Sequence, residues 1–222
     1  QLLINLENNE YTISAGSMQW SVGNVEAVAD VKGVGDFLGK AIKGSVTKES
    51  AVKPKYRGTG VLVLEPTYKH IILLDLDEWG NSIVLDDGLF LACESTLKQK
   101  AVRRKTFSSA FAGGEGFFNL GLKGSGVVCI ESDCSREELV EITLEDDVVK
   151  IDGNLAIAWS GSLDFTVERA GKSLLGSAAS GEGLVNVYRG TGKVLLAPVG
   201  NQAMKPQQVI EKEPVIVGDD DE

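Results

Sequence analysis

The stretch RGTGVLVLEP occupies residues 57–66, and nearly the same letters, RGTGKVLLAP, return at residues 189–198. A third copy, KGSGVVCIES, begins between them at Lys123. The copies start at Arg57, Lys123 and Arg189, so they are evenly spaced along the chain, and we call this spacing the repeat period. Each copy has the pattern [RK]-G-[ST]-G followed by an apolar run. A constant period over three copies indicates an internal triplication.

The repeated unit is typical of β structure. GFFNLGL, KGSG and VVCIES predict a strand, a glycine turn and a returning strand, because glycine adopts positive φ angles at little cost. Structural turns are therefore predicted at six glycines: Gly58, Gly60, Gly124, Gly126, Gly190 and Gly192. The apolar run VLVL at 61–64 does not alternate, which predicts a strand covered on both faces. Further strands are predicted at 69–76 and at 141–152, the second folding back at 145–147.

One repeat unit is too short to bury enough apolar surface to be stable alone, so three units are expected to share a pseudo-threefold core. We predict an all-β protein with modules at 1–67, 68–133 and 134–199, and an acidic, partly disordered tail at 200–222. One short helix is predicted near 35–43, where Phe37, Leu38 and Ile42 lie on one helical face. That helix is interpreted either as a lid over an open barrel or sandwich end or as a partner-docking helix.

Composition limits the class of protein. The chain is 43% hydrophobic and 24% charged, which is ordinary for a soluble globular protein. Its net charge of −10 repels phosphate backbones and anionic lipid surfaces. Three cysteines, an odd and sparse number, are typical of a reducing compartment. Residues 1–10 have neither the basic nor the apolar region of a signal peptide, and we expect a cytoplasmic protein.

Five stretches also support a resemblance: AGSM at 15–18, RGTGVLVLEP, LDDGLFLACE, GGEGFFNLGLKGSG and VKIDGNLAIAW. In this order the chain resembles the "altered inheritance of mitochondria" family of TRAP-like β proteins over roughly residues 10–200. The resemblance implies tandem double-stranded β-helix-like modules, related to the tryptophan-sensing RNA-binding attenuation protein. It implies a relation to mitochondrial biogenesis proteins, and a place in a prokaryotic branch of unknown function. It supplies no catalytic residues.

Residues suited to catalysis are few. The only histidine, His70, cannot build a cupin-type or non-haem iron site, each of which needs more than one imidazole. A Ser-His-Asp triad would need the same histidine. The cysteines form no C-x-x-C pair, so structural zinc is not expected. Asp75 and Asp77 would face the same way on a strand and share a cation, whereas Asp86–Asp87 and Asp146–Asp147 are predicted to be turns. We expect no catalytic residue, metal or cofactor.

Two surfaces are candidates for partner binding. The basic cluster KQKAVRRK contributes Lys98, Lys100, Arg103, Arg104 and Lys105, and the predicted helix contributes Phe37, Leu38 and Ile42. A solvated strand edge is the alternative interpretation of the basic cluster. We predict a non-enzymatic scaffold or interaction protein that binds a protein partner or itself, with neither RNA binding nor a membrane span. One alternative is a small-molecule binding module with a pocket between repeats. Another is a hydrolase or metal enzyme, although the lone histidine argues against it.

Overall fold

The computed structural model describes residues 1–28, 53–65, 67–103, 118–153, 155–169 and 184–198. Within those ranges the chain forms β-strands and one 3-10 helix, Leu76–Trp79. The strands are β1 (Leu2–Ile13), β2 (Met18–Val28), β3 (Lys55–Leu64), β4 (His70–Asp75), β5 (Ser82–Leu85), β6 (Phe90–Glu94), β7 (Lys98–Arg103), β8 (Phe118–Lys123), β9 (Val127–Ser132), β10 (Val140–Asp152), β11 (Ala156–Ser160), β12 (Asp164–Arg169) and β13 (Leu184–Leu196). The predicted helix near 35–43 and the tail at 200–222 lie outside the described residues.

The strands form two antiparallel sheets. The first has the order β2-β3-β1-β6-β9-β4, and the second has the order β10-β13-β11-β5-β8-β7, with β12 also paired to β13. The middle part of the chain contributes to both sheets, because β4, β6 and β9 lie in the first and β5, β7 and β8 in the second. The all-β prediction is confirmed.

Two long strand pairs dominate the sheets. In the first sheet β1 pairs with β3 from Leu2↔Leu64 to Thr12↔Lys55, and in the second β10 pairs with β13 from Val140↔Leu196 to Asp152↔Val185. The apolar run at 61–64 lies in β3, where Leu62, Val63 and Leu64 are all buried. Burial on both faces explains why this run does not alternate, as predicted.

The glycine motifs do not form the predicted hairpin turns. Gly58 and Gly60 lie inside β3, and Gly190 and Gly192 lie inside β13, so the strand continues through both motifs. Gly124 and Gly126 lie between β8 and β9, but these strands belong to different sheets and do not pair with each other. The expected positive φ is present at all six positions, from 115° at Gly190 to 157° at Gly192. The turn prediction is therefore wrong for the glycines of β3 and β13, whereas Gly124 and Gly126 do lie in a bend between two strands, although those strands are not a hairpin.

Close approach of strands explains the glycines in β3. A Cβ added to Gly58 would overlap the backbone carbonyl oxygen of Asn24 in β2, and one added to Gly60 would overlap that of Val22. Because β2 and β3 pair throughout this region, no side chain fits between them. The motif permits tight packing of one strand on its neighbour.

A left-handed residue faces this motif in each third of the chain. The non-glycine residues with positive φ are Asn8, Asn81 and Asp146, at 57°, 57° and 53°. Asn8 lies in a register shift between the pairs Glu7↔Thr59 and Asn9↔Gly58. Asp146 lies in a register shift between the pairs Leu144↔Gly192 and Asp147↔Gly190. Asn81 immediately precedes the pair Ser82↔Lys123. The predicted fold-back at 145–147 is therefore wrong, because β10 continues through it with a local bulge.

The 3-10 helix interrupts the middle third. Asp75 caps its start by accepting a hydrogen bond from the backbone N–H of Asp77, and Gly80 ends it in the left-handed conformation. Leu76 and Trp79 are buried in the largest hydrophobic cluster, together with residues of both sheets. The insertion thus separates β4 from β5 and fills the space between the sheets.

Candidate functional site

Three residues of the predicted basic cluster, Lys98, Lys100 and Arg103, lie on β7, the outermost strand of its sheet among the described residues. Lys98 pairs with Lys123 of β8, and Lys100 pairs with Gly121. Opposite residues on antiparallel strands project from the same face, as do residues two apart on one strand. Lys98, Lys100 and Lys123 therefore share one face, and all three are exposed. We call these three lysines the basic face.

Gly121 lets the stem of Lys100 lie flat against β8. A Cβ at Gly121 would lie 2.7 Å from Val102 Cγ2 and 3.0 Å from Lys100 Cγ. On the other face of the same strand, Leu122 is fully buried in the core. β8, which carries Lys123, is thus fixed by core packing on the face opposite the basic face.

The charges of the basic face are not neutralised within the described part of the chain, where none of the three ammonium groups has a carboxylate within ion-pair distance. Like charges directly opposite each other on paired strands are destabilising, and Lys98 and Lys123 are such a pair. An anionic group bound between them would relieve that repulsion. The basic face is therefore suited to binding an anion.

The other predicted surface residues lie elsewhere or outside the structure. Arg103 ends β7. Arg104, Lys105 and the helix residues Phe37, Leu38 and Ile42 fall outside the described residues. The sequence prediction omitted Lys123 because it was assigned to a turn motif, and only the strand register brings it opposite Lys98.

A second concave region lies between β1 and the β6–β7 connection. It has a volume of about 480 Å³ and is lined by Asn9, Glu10, Tyr11, Glu94, Ser95 and Thr96. We call it the interstrand cleft. Ser95 Oγ is buried there and has no hydrogen-bond partner in the described part of the structure. Burial, and secondarily the charge of Glu94, raise the pKa of Tyr11, which stays a neutral hydrogen-bonding phenol.

The residues considered for metal binding or acid–base chemistry lie at a strand end, in the 3-10 helix and in a turn. His70 is exposed at the first position of β4, as predicted for a strand entry. Asp77 lies in the 3-10 helix and not on the strand, so it does not share a strand face with Asp75; its carboxylate accepts a 3.0 Å hydrogen bond from Ser125. Asp87 lies in the predicted turn between β5 and β6. No group of three or more metal-binding side chains occurs in the described ranges.

The cysteines behave as buried apolar residues, as predicted. Cys93, Cys129 and Cys134 are all free thiols in the interior. Burial raises the pKa of Cys93 and of Cys129 to about 12. Because the thiolate is the reactive form, neither residue is a nucleophile near neutral pH.

The fold and its surfaces define an all-β protein of two antiparallel sheets with an exposed cationic edge. No helix in the described ranges is long and apolar enough to cross a membrane. Residues 1–199 match the model of the mitochondrial biogenesis AIM24 family, and the chain belongs to that family. The resemblance drawn from the five motifs is therefore confirmed.

Two bacterial relatives are similar over most of the chain. An uncharacterised protein of Streptococcus pyogenes serotype M6 is 30% identical over 191 residues, which cover 83% of this chain and 75% of that protein. The crystal structure of another Streptococcus pyogenes protein matches with a TM-score of 0.64 and 29% identity, covering 89% of this chain and 88% of the other. The family's link to mitochondrial biogenesis lies in its name.

Proposed function

We propose that this protein is a non-enzymatic, cytoplasmic β scaffold that binds an acidic segment of a partner protein on the basic face. The observation that carries the proposal is a set of three exposed lysines, Lys98, Lys100 and Lys123, that have no ion-pair partner among the described residues of a chain of net charge −10. A local cationic face on an acidic body attracts an anionic group while the rest of the surface repels extended polyanions.

An acidic peptide fits this face better than RNA does. The net charge opposes a long phosphate backbone, and no aromatic side chain lies between the lysines to stack a base. The outer side of β7 is also open to strand addition among the described residues, so an extended peptide would gain backbone hydrogen bonds as well as charge contacts.

The scaffold itself is proposed to consist of three TRAP-like modules fused in one chain. The support is geometric: a left-handed residue, Asn8, Gly80 or Asp146, lies two positions before the residue that pairs with the first residue of each [RK]-G-[ST]-G copy. Each third also has a register shift at the start of one strand: between Met18 and Trp20 in β2, between Phe90 and Ala92 in β6, and between Ala156 and Ala158 in β11. Two irregularities recurring at corresponding positions support duplication of a single unit.

The test is binding of a fluorescent oligo-glutamate peptide, measured by anisotropy at several salt concentrations. The variant carries Lys98→Glu and Lys100→Glu, and we expect it to lose measurable binding. A control with Lys69→Glu, just before β4, and Lys150→Glu, on β10, alters the net charge equally at other places. It should retain most of the affinity, which should fall with added salt. Equal loss in both variants would show that only net charge matters and would contradict the proposal.

A second candidate function is small-molecule binding in the interstrand cleft. Its support is the unpartnered Ser95 hydroxyl in a cleft between the first and middle thirds, with a volume in the range of ligand pockets. Native mass spectrometry of gently purified protein should then show bound mass, which Ser95→Ala reduces. A ligand-free mass at every purification step would rule out a tightly held ligand.

A further inference from the structure

Two joints between thirds occur inside the chain. In the first, the last three residues of β1 pair antiparallel with the last three of β6, and in the second, the last three residues of β5 pair antiparallel with the last three of β11. The first joint consists of the pairs Tyr11↔Glu94, Thr12↔Cys93 and Ile13↔Ala92. The second joint consists of the pairs Ile83↔Ser160, Val84↔Trp159 and Leu85↔Ala158. The two joints therefore have the same polarity and length.

The same backbone hydrogen bonds close both joints. At the first, Ser14 N–H donates to the Leu91 carbonyl (2.7 Å) and Ser95 N–H donates to the Glu10 carbonyl (3.2 Å). At the second, Asp86 N–H donates to the Ile157 carbonyl and Gly161 N–H donates to the Ser82 carbonyl, both at 2.8 Å. One pattern of donors and acceptors thus connects each third to the next.

The strand register identifies the segments that would form a third joint. Tyr11, Ile83 and Val149 are equivalent, because they face Tyr56, Leu122 and Tyr188, which are separated by the repeat period. Likewise Trp20 is equivalent to Ala92 and Ala158, because these three face Val63, Cys129 and Leu195, which are separated by the same period. The third joint would therefore pair 149–151 of β10 with 20–22 of β2.

These two segments are not paired with each other in the part of the chain that the structure describes. Among the described residues, β2 has β3 as its only strand neighbour and β10 has only β13, and each is the outermost strand of its sheet. Trp20 is 44% exposed and Val22 is 62% exposed, whereas Ala92 and Ala158, which are equivalent to Trp20, are 2% and 0% exposed. A long outer strand with exposed apolar side chains is a surface that native proteins normally cover.

We infer that a second copy of this chain covers β2, by pairing its own residues 149–151 with residues 20–22. The repeat pattern then specifies the closing hydrogen bonds: Asp152 N–H donates to the Gln19 carbonyl, and Gly23 N–H donates to the Val148 carbonyl of the other copy. Neither bond is made within the described part of a single chain. Because every copy carries both segments, two copies can exchange both joints and close a dimer.

Disulfide trapping tests the pairing directly. Positions 21 and 150 are equivalent to Cys93 and Thr12, which lie directly opposite each other at the first joint, so we replace Ser21→Cys and Lys150→Cys in separate variants. When the two single variants are mixed under mild oxidation, we expect a reducible heterodimer. Mixing Ser21→Cys with Lys100→Cys, on the outer strand of the other sheet, should give none. The native thiols do not interfere, because all three are buried.

The outcome of trapping separates the possible arrangements. A heterodimer from the mixed single variants supports the second copy. A disulfide confined to one chain in the Ser21→Cys, Lys150→Cys double variant, with no heterodimer, would mean that the joint closes within the chain and would overturn the inference. Absence of any trapped product from a monomeric protein would also overturn it.

Light scattering supplies a second test that does not depend on engineered thiols. The unmodified protein should have twice the mass of one chain, and Val22→Lys should reduce that mass to one chain. The matched control is Leu73→Lys on β4, the opposite outermost strand of the same sheet, where the native side chain is 61% exposed. Leu73→Lys should leave the dimer intact. Val22→Lys does not alter the basic face, so peptide binding there should persist whether or not the copies associate.

Discussion

Replacement of Gly58 by alanine should destabilise the protein through two separable effects. Gly58 has φ 133°, a conformation that L residues avoid at a cost of about 1–3 kcal/mol. The added Cβ would also overlap the Asn24 carbonyl oxygen and lie 3.0 Å from its carbonyl carbon. Relief requires β2 to move away from β3, and backbone shifts of this kind cost about 1–3 kcal/mol. We expect Gly58→Ala to lower the free energy of unfolding by about 4 kcal/mol.

Gly16→Ala separates the two effects. Gly16 also has positive φ, 82°, but nothing lies within 4 Å of its added Cβ, so the expected loss is only about 1 kcal/mol. Urea unfolding followed by tryptophan fluorescence measures both variants, with unchanged m-values as evidence for two-state behaviour. If Gly58→Ala costs no more than Gly16→Ala, the close approach of β2 to β3 does not explain the motif.

Three further predictions concern buried and paired side chains. Cys93 and Cys129 should resist alkylation in the folded protein at pH 8 and react quickly in denaturant, because raising a thiol pKa from 9.0 to about 12 lowers the thiolate fraction about a thousandfold. Asn119→Ala should lower the free energy of unfolding, measured with urea, by about 1–3 kcal/mol, because the Leu85 carbonyl at the end of β5 loses the buried Asn119 amide that donates to it. An unchanged urea midpoint would exclude that role. Arg189 hydrogen bonds hold the pKa of Glu168 at about 2, so the small stabilisation from this exposed pair is complete above pH 4.5 and is lost as the pH falls towards 2. Arg189→Gln should raise the Glu168 pKa towards its ordinary value in an NMR titration.

The period, the β class and the buried run after the glycine motif were all predictable from the sequence. Each depends on local composition or on spacing along the chain. The role of the glycines was not predictable, because positive φ serves a hairpin turn and a close strand crossing equally well. What distinguishes the two in β3 is the backbone of Asn24, which is distant in sequence from Gly58 and reaches it only through strand pairing.

The sequence stretches GEGFFN at 114–119 and GEGLVN at 181–186 each end in an asparagine, and these two asparagines show the same limit. The Asn119 amide donates to the Leu85 carbonyl at 2.9 Å, and the Asn186 amide donates to the Gly153 carbonyl at 2.7 Å. Both therefore hold a backbone carbonyl at or just beyond the end of a neighbouring strand. The similarity of the two stretches is visible in the sequence, whereas the carbonyl partners of the two asparagines are apparent only from the fold. The basic face is similar, since Lys123 joins it by register alone.

The division of the middle third between the two sheets has a consequence for folding. Residues 68–133 cannot be excised, because their removal would take three strands from each sheet and the buried Trp79 from the largest cluster. Opening of this region exposes amides in both sheets at once, so native-state hydrogen exchange should show the two sheets opening as one cooperative unit. The sequence has the repeat pattern of three parts, but we expect its middle part to make the described sheets unfold together.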